Sequence, residues 1–231
     1  MQGILLIDKP SGWTSFDVVN KVRRLIETSG LNTTNKKRFP VGHTGTLDPL
    51  ATGLLVLMLG AYTKQVPTYT KLDKTYEVTM RLGATSTTGD EEGEKTVVSD
   101  DKPSRAQIEA VLNQFVGDIM QTPPIYSAIK INGQRAYALA RKGEVPELQP
   151  RPAHIAQIIL TGYQYPDVQF TVDVSSGTYV RSLVDDMGKI LRTGAYMAAL
   201  RRTRVGTFTL ANALTMDGLT PTSLKQAVQS A

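Results

Sequence analysis

The chain has 231 residues, of which 41% are hydrophobic and 20% charged, proportions that are typical of an ordinary globular protein. It contains no cysteine, which excludes disulfides, thiolate metal sites and cysteine nucleophiles. The formal net charge is +5, and basic stretches at 21–43 and 201–204 contrast with an acidic stretch at 85–101. This segregation favours a polyanionic partner, with plain solvated surface charge as the alternative.

The apolar segments are too short for targeting or membrane insertion. Only four consecutive apolar residues precede Asp8, so we expect no signal peptide. The longest apolar run, at 54–59, is far below the roughly 20 residues that a membrane helix needs. We therefore expect a cytoplasmic protein without a membrane partner.

The first predicted elements are a capped helix and two strands. Thr14 and Asp17 have capping-box spacing in front of residues 16–27. The run at 54–59 predicts a buried strand, and residues 74–83 alternate as a half-buried strand does. The residues expected to face the core are Phe16, Val19, Val22 and Ile26 in the helix, and Tyr76, Val78, Met80 and Leu82 in the second strand.

The second half of the chain continues this mixture of elements. Ser104 and Gln107 cap a predicted helix, residues 170–174 alternate as a strand, and residues 182–191 are helical in pattern. Because strands and helices are interspersed without regular βαβ spacing, the sequence predicts a mixed α/β or α+β fold.

Residues 42–53, GHTGTLDPLATG, form the most unusual segment. Pro49 restricts the backbone of Asp48 to extended geometry, glycines allow tight turning, and the hydroxyls of Thr44 and Thr46 could satisfy loop amides. Such a loop could aim one carboxylate, although an Asp-Pro turn is more often only a turn. With His43 and His154 as the only histidines, a metal site is not expected, and no P-loop, dinucleotide or nucleophile-elbow motif is present.

The same segment carries a family resemblance. VGHTGTLDPLATGLLVLMLG closely resembles the catalytic segment of the TruB family of bacterial tRNA pseudouridine-55 synthases. Further stretches follow in the family's order from about Gly3 to Phe208: GILLIDKPSGWTS, DKTYEVTMRLGATSTTGD, PPIYSAIKINGQRAYALARKGEVP, SSGTYVRSLVDDMGKIL and GAYMAALRRTRVGTF. Several long motifs in order are far more specific than one pattern.

The resemblance implies a fold, a reaction and a catalytic residue. The fold is α+β, with a mixed, largely antiparallel central sheet flanked by helices and loops. The reaction isomerises a uridine in the tRNA T loop after base flipping and needs no cofactor. The family's essential aspartate falls on Asp48, and the family places the arginine of its GTY-[IV]-R motif, here Arg181, beside it.

The remaining family positions concern substrate binding. Tyr76 matches the base-stacking tyrosine, although its strand pattern alone indicates a core aromatic. Tyr179 matches a second pocket tyrosine and would point the same way as Arg181 if that segment is extended. Leu200 matches a pocket wall, and His43 matches a histidine that enters the RNA loop, with capping of its own loop as the alternative.

The resemblance also predicts the organisation of the chain. Residues 1–231 would form one catalytic domain with an RNA-contacting thumb at about 124–152, and the family's usual C-terminal RNA-binding domain would be absent or truncated. We expect tRNA as the partner, no obligatory protein partner and a monomer. The alternatives are a subunit of the guide-RNA-dependent branch, or a tRNA-binding protein without turnover.

Overall fold

A computed structural model describes residues 1–33, 38–127, 129–131, 133–140, 142–144 and 147–229. Two compact units divide the chain: unit 1 comprises Met1–Tyr76 and Leu200–Ala231, and unit 2 comprises Glu77–Ala199. No helix in these described ranges is long and apolar enough to cross a membrane.

Unit 1 combines strands from both ends of the chain, and all elements are numbered in chain order over the whole protein. Its elements are β1 (Gly3–Lys9), α1 (Ser15–Thr28), β2 (Val41–His43), β3 (Thr52–Leu59), α2 (Val66–Thr70), β13 (Phe208–Thr209), β14 (Leu214–Thr215) and α6 (Pro221–Ala227), with short 3-10 helices at Gly60–Gln65 and Leu210–Asn212. Two strands, β4 (Lys74–Leu82) and β12 (Ala195–Val205), have residues in both units.

The central pair of unit 1 is buried on both faces. Strand β1 pairs antiparallel with β3 from Gly3↔Leu59 to Lys9↔Gly53. Alternate residues of the two strands enter two separate apolar clusters, one containing Leu55 and the buried face of α1 and the other containing Val56. A strand buried on both faces has a continuous apolar sequence, which explains the run at 54–59 and confirms the predicted buried strand.

Helix α1 begins at the predicted capping box. The Thr14 hydroxyl accepts the Asp17 amide at 3.0 Å, and the Asp17 carboxylate accepts the Thr14 amide at 2.9 Å. The predicted position of Phe16 was wrong, because this side chain is 56% exposed and Val18 is buried instead. At about 100° per residue, Phe16 lies a quarter turn away from the buried stripe that runs through Ser15, Val18, Val22 and Ile26.

Unit 2 contains three longer strands, two longer helices and two small hairpins. Its elements are β5 (Ala84–Ser86), β6 (Lys95–Val97), α3 (Arg105–Gln114), β7 (Gly117–Gln121), β8 (Lys130–Ile131), β9 (Gln134–Arg135), α4 (Ala136–Ala140), β10 (Arg151–Gln164), β11 (Asp167–Val174) and α5 (Val180–Leu191). Strand β10 pairs antiparallel with both β11 and β7, and α3 packs against β10 and α5.

These pairings decide the fold class. Antiparallel ladders dominate, while β1 with β14 and β3 with β12 are parallel. This confirms an α+β fold with a mixed, largely antiparallel sheet flanked by helices. The predicted burial of alternate residues in β4 is confirmed, as is the cap of α3 by Ser104 and Gln107.

Unit 2 contains a small hairpin and a helix that starts earlier than predicted. In the hairpin, β8 pairs antiparallel with β9 through Lys130↔Arg135 and Ile131↔Gln134, and residue 132 lies outside the described residues. The extended geometry considered for residues 179–181 was wrong. Helix α5 begins at Val180, two residues before the predicted start, so Arg181 lies in its first turn.

Candidate active site

Asp48 lies in the loop that joins β2 to β3, residues 44–51. The two strands pair antiparallel with His43 opposite Leu57, which fixes the entry and exit of the loop. The hydroxyls of Thr44 and Thr46 could satisfy loop amides, which stays a prediction. Side chains from other elements contact the loop carbonyls.

The backbone carbonyls around Asp48 are all engaged. The donors are Arg202 Nη2 to Gly45 at 3.0 Å, Arg202 Nη1 to Thr46 at 3.4 Å, Ser15 Oγ to Leu47 at 3.0 Å, the Ala51 amide to Asp48 at 3.1 Å, and the Gly12 amide and Lys9 Nζ to Pro49 at 2.9 and 3.2 Å. Because each carbonyl has a donor in unit 1, the loop has few alternative backbone conformations. This rigidity is the physical basis for aiming the Asp48 carboxylate.

Lys9 is a fully buried cation under this loop. Its ammonium donates to the carbonyls of Pro10, Trp13 and Pro49 at 2.9, 2.6 and 3.2 Å. Burial lowers the pKa of Lys9 to about 8, the Asp48 charge opposes that shift, and the Arg202 charge adds to it. The three carbonyl contacts of Lys9 indicate a structural role under the loop.

Gly53 shows why the end of the loop requires glycine. Its φ is +98°, and a Cβ at this position would overlap the backbone of Arg202, which is its partner in the parallel pairing of β3 with β12. Only a residue without a side chain allows this close approach. Gly53 thereby brings the backbone of Arg202 against the loop.

His43 is the last residue of β2 and directly precedes the loop that carries Asp48. Burial lowers the pKa of His43, and the Arg202 guanidinium lowers it further, while a backbone hydrogen bond at Gly45 acts in the opposite direction. The imidazole is therefore neutral at neutral pH. Its Nδ1 is buried and has no hydrogen-bond partner among the residues that the structure describes.

Tyr76 and Leu200 are the two other predicted site residues of unit 1. Tyr76 lies in β4 and is only 8% exposed, on the same side as Val78. Leu200 lies in β12 and is half-buried. The burial of Tyr76 agrees with a core position, and its stacking role stays a prediction.

Arg181 lies in the first turn of α5 in unit 2. Its guanidinium donates to the carbonyls of Thr88 and Tyr126 at 3.1 and 2.8 Å and lies 3.5 Å from the carboxylate of Asp90. Asp90 is itself 3% exposed and accepts the Thr88 hydroxyl and, at 3.1 Å, the Glu92 amide. The acidic stretch at 85–101 had been considered only as part of the charge segregation, so the sequence reasoning missed Asp90.

Tyr179 precedes α5 and is fixed through its backbone. The buried side-chain amide of Gln121 accepts the Tyr179 amide at 2.8 Å and donates to its carbonyl at 3.0 Å. One residue into the helix, Ser182 Oγ donates to the Thr122 carbonyl at 2.8 Å. The six predicted site residues thus form two sets, with His43, Asp48, Tyr76 and Leu200 in unit 1 and Tyr179 and Arg181 in unit 2.

The basic cluster at 201–204 makes intramolecular contacts. Arg201 forms a bidentate ion pair with Asp8 at 3.1 and 2.8 Å, and Arg204 donates to the Thr75 hydroxyl at 2.8 Å and the Gly206 carbonyl at 3.0 Å. Arg202 is buried and donates to Gly45 and Thr46 of the loop that carries Asp48. The interpretation of this cluster as a surface for a polyanion is therefore not supported by its geometry.

The described ranges contain no group of three or more His, Asp or Glu residues that could hold a metal ion. Each unit offers its own functional group: unit 1 carries the Asp48 carboxylate on a rigid loop, and unit 2 carries the Arg181 guanidinium, which is held by two main-chain carbonyls and a buried carboxylate.

Comparisons with known proteins identify the family of the chain. Residues 32–180 match the family described as TruB family pseudouridylate synthase (N terminal domain), and residues 181–230 match the tRNA pseudouridylate synthase B C-terminal domain. The expectation that the family's C-terminal RNA-binding domain is absent or truncated, and that residues 1–231 form one domain, stays a prediction.

Curated relatives cover nearly the whole chain. The tRNA pseudouridine synthase B of Gluconacetobacter diazotrophicus is 46% identical over 96% of this chain and 69% of its own length. The tRNA pseudouridine synthase B of Pseudomonas aeruginosa is 45% identical over 95% of this chain and 69% of its own length.

Among solved structures, the chain is similar to one in a crystal structure of a Cbf5-Nop10-Gar1 complex, with a TM-score of 0.73 and 29% identity. That match covers 99% of this chain and 60% of the other. Two family models that together span residues 32–230, and relatives at 45–46% identity, place this chain in the TruB family of pseudouridylate synthases.

Proposed function

We propose that this chain converts uridine 55 in the T loop of tRNA to pseudouridine, with Asp48 as the essential carboxylate. Enzymes of the TruB family isomerise uridine in tRNA, and this chain has the family's aspartate in its expected loop. The observation that carries the proposal is the engagement of every carbonyl from Gly45 to Pro49, which holds Asp48 in one backbone geometry.

The reaction balances without a donor or an oxidant. The bond between ribose C1′ and N1 of uracil breaks, the base rotates, and C1′ joins C5. The hydrogen on C5 leaves as a proton, and N1 gains a proton, so the reaction has no redox change and requires no cofactor. Asp48 could attack C1′, attack C6 or remove a ribose proton, and each route requires the ionised carboxylate.

Arg181 is proposed to act with Asp48 on the flipped uridine. Two main-chain carbonyls and Asp90 hold its guanidinium, so little side-chain entropy is lost when the substrate arrives. A guanidinium in the site would favour the ionised carboxylate. This assignment rests on the family motif together with the rigid cradle in unit 2.

The other assigned residues would recognise RNA. Tyr76 would stack on the flipped uracil, an interaction worth roughly 1–3 kcal/mol per base, and Tyr179 and Leu200 would line the pocket. His43 would enter the T loop, where a neutral imidazole can stack and form a hydrogen bond. The alternative is that His43 caps its own loop, where the Gly45 backbone raises the pKa of the imidazole against the effect of burial.

We further propose that the enzyme is a cytoplasmic monomer without an obligatory protein partner. The relatives at 45–46% identity are named tRNA pseudouridine synthase B, whereas the matched chain in the Cbf5-Nop10-Gar1 complex is only 29% identical to this chain. This difference supports a stand-alone enzyme over a guide-RNA-dependent subunit. The thumb at about 124–152 would close over the RNA.

Release of hydrogen from C5 of uridine tests the proposal. An unmodified tRNA transcript labelled with tritium at C5 is incubated with the chain alone, without a guide RNA or another protein. We expect release that approaches one equivalent per tRNA and is absent when uridine 55 is replaced by cytidine. Tight binding of tRNA without release would instead support the binding-only alternative.

A further inference from the structure

Among the residues that the structure describes, Arg202 is the largest fully buried side chain, and it is 1% exposed. All three nitrogens of its guanidinium donate to main-chain carbonyls of the same region. Nε donates to Leu54 at 2.7 Å, Nη2 to Gly45 at 3.0 Å and Nη1 to Thr46 at 3.4 Å. Arg202 therefore connects the loop that carries Asp48, residues 44–51 and called the catalytic loop below, to the first residues of strand β3.

Burial of this charge is costly unless the contacts are specific. In the described ranges no carboxylate forms an ion pair with Arg202, so the carbonyls compensate for its lost hydration. An apolar side chain of similar volume would often stabilise a core at least as well as a buried charge does. The guanidinium is therefore better explained by what it holds than by core packing.

Arg202 holds the backbone segment that directly precedes Asp48. Gly45 and Thr46 lie three and two residues before Asp48, and their carbonyls are engaged by the two terminal nitrogens of one rigid planar group. The other end of Arg202 is fixed by its backbone pairing with Gly53 in β3. A shift of this fork would displace the loop, and a misplacement of about 1 Å at a catalytic group can cost ~100-fold in rate.

We propose that Arg202 is a positioning residue that sets the geometry of the Asp48 loop through the carbonyls of Gly45 and Thr46. This inference rests on the proposed function, since it concerns the step that Asp48 performs. Lysine at this position would keep the charge but lose the planar fork and at least one of the three carbonyl contacts.

The test compares Arg202→Lys with Arg204→Lys. Arg204 lies in the same strand and also donates to a carbonyl, but Thr75 and Gly206, which accept from it, lie outside the catalytic loop. We measure kcat and KM for C5-hydrogen release, equilibrium binding of tRNA, and thermal stability. Turnover is expressed per molecule that binds tRNA, so that partial unfolding does not count as a loss of rate.

We expect Arg202→Lys to lower kcat by roughly 10–100-fold, with KM and tRNA binding within about threefold of wild type, while Arg204→Lys keeps kcat within about threefold. An unchanged kcat in Arg202→Lys overturns the inference, because charge alone is then sufficient. If Arg202→Lys does not fold, Arg202→Gln replaces it, and loss of tRNA binding in both variants also overturns the inference. Absence of turnover by the wild type would instead refute the proposed function.

Discussion

The guanidinium of Arg181 lies 3.5 Å from the carboxylate of Asp90, and both side chains are buried in unit 2. Thr88 contributes twice, since its carbonyl accepts from Arg181 and its hydroxyl donates to Asp90. Removal of one partner from a buried ion pair leaves the other charge uncompensated, at a typical cost of about 3–5 kcal/mol. Asp90 thereby fixes the orientation of an arginine that the family motif assigns to catalysis.

This pair predicts coupled losses of activity. Arg181→Lys and Asp90→Asn should each lower the single-turnover rate by roughly 10–100-fold, because a point charge does not replace a planar fork and an unpaired guanidinium can reorient. The double variant should lose less than the product of the two single effects. Rates are measured with excess enzyme over tritiated tRNA.

Arg81→Lys serves as the control for this pair. Arg81 pairs with Asp167 through two hydrogen bonds in the same unit, but both side chains are partly exposed. An exposed pair contributes only ~0–1 kcal/mol to stability, so turnover should stay near wild type. Strictly multiplicative effects of Arg181→Lys and Asp90→Asn would show that the two residues act independently.

The lowered pKa of the buried Lys74 makes the free energy of unfolding depend on pH. Burial lowers its pKa from 10.5 to about 8, the nearby Arg202 charge adds to the shift, and its ammonium donates to the carbonyls of Thr70 and Leu72. Between these two pKa values the unfolded chain binds one more proton than the folded chain, so this group makes stability rise with pH.

The measurement is urea unfolding of wild type and Lys74→Met at pH 7.5 and 9.5. Since the variant lacks this titration, the free energy of unfolding of wild type minus that of the variant should increase with pH, by up to about 1.4 kcal/mol per unit. A difference that is constant or falls over this range contradicts the lowered pKa.

The segment at about 124–152 is predicted to close over RNA. It has an excess of positive charge, and Ala136 and Leu139 are the side chains that its short helix α4 buries. Trypsin sites in the segment are Arg135, Lys142 and Arg141, the last of which lies outside the described residues. Saturating tRNA should slow cleavage at these sites, with Lys189 in α5 as the reference site. Equal rates with and without tRNA would favour a rigid surface hairpin.

The basic residues 36–38, which precede β2, predict that salt weakens the affinity for tRNA. Its residues Lys36 and Lys37 lie outside the described residues, and Arg38 is exposed. If they meet phosphates, their joint neutralisation should reduce the slope of log affinity for tRNA against log salt by up to about 2–3. Lys189→Gln, which removes a cation already paired with Asp185 and Asp186, should leave the slope unchanged. An unchanged slope in the triple variant would assign the loop to solvated surface.

Local patterns predicted the regular elements well. The two capping boxes and the buried run at 54–59 follow from hydrogen bonding and burial within a few residues, and both are confirmed. The family resemblance supplied Asp48 and Arg181, which spacing alone left open.

The residues that sequence reasoning missed depend on long-range contacts. Arg202 bonds carbonyls about 150 residues earlier in the chain, and Asp90 lies near Arg181 across more than 90 positions, so the charge pattern alone did not reveal either contact. Phe16 was misplaced because a single apolar residue near a helix start carries little information on the direction of the buried face. The requirement for glycine at position 53 also depends on a long-range contact, since a Cβ there would overlap the backbone of Arg202.

The most direct test of the central claim is C5-hydrogen release by Asp48→Asn, with Asp17→Asn as a matched control that changes a helix-capping carboxylate outside the site. Both variants and wild type are given the same tritiated tRNA transcript, and tRNA binding is measured in parallel. We predict no detectable release by Asp48→Asn with binding within about threefold of wild type, and near-normal release by Asp17→Asn at a temperature where it is folded. Turnover by Asp48→Asn comparable to that of wild type would contradict the assignment of Asp48 as the catalytic carboxylate.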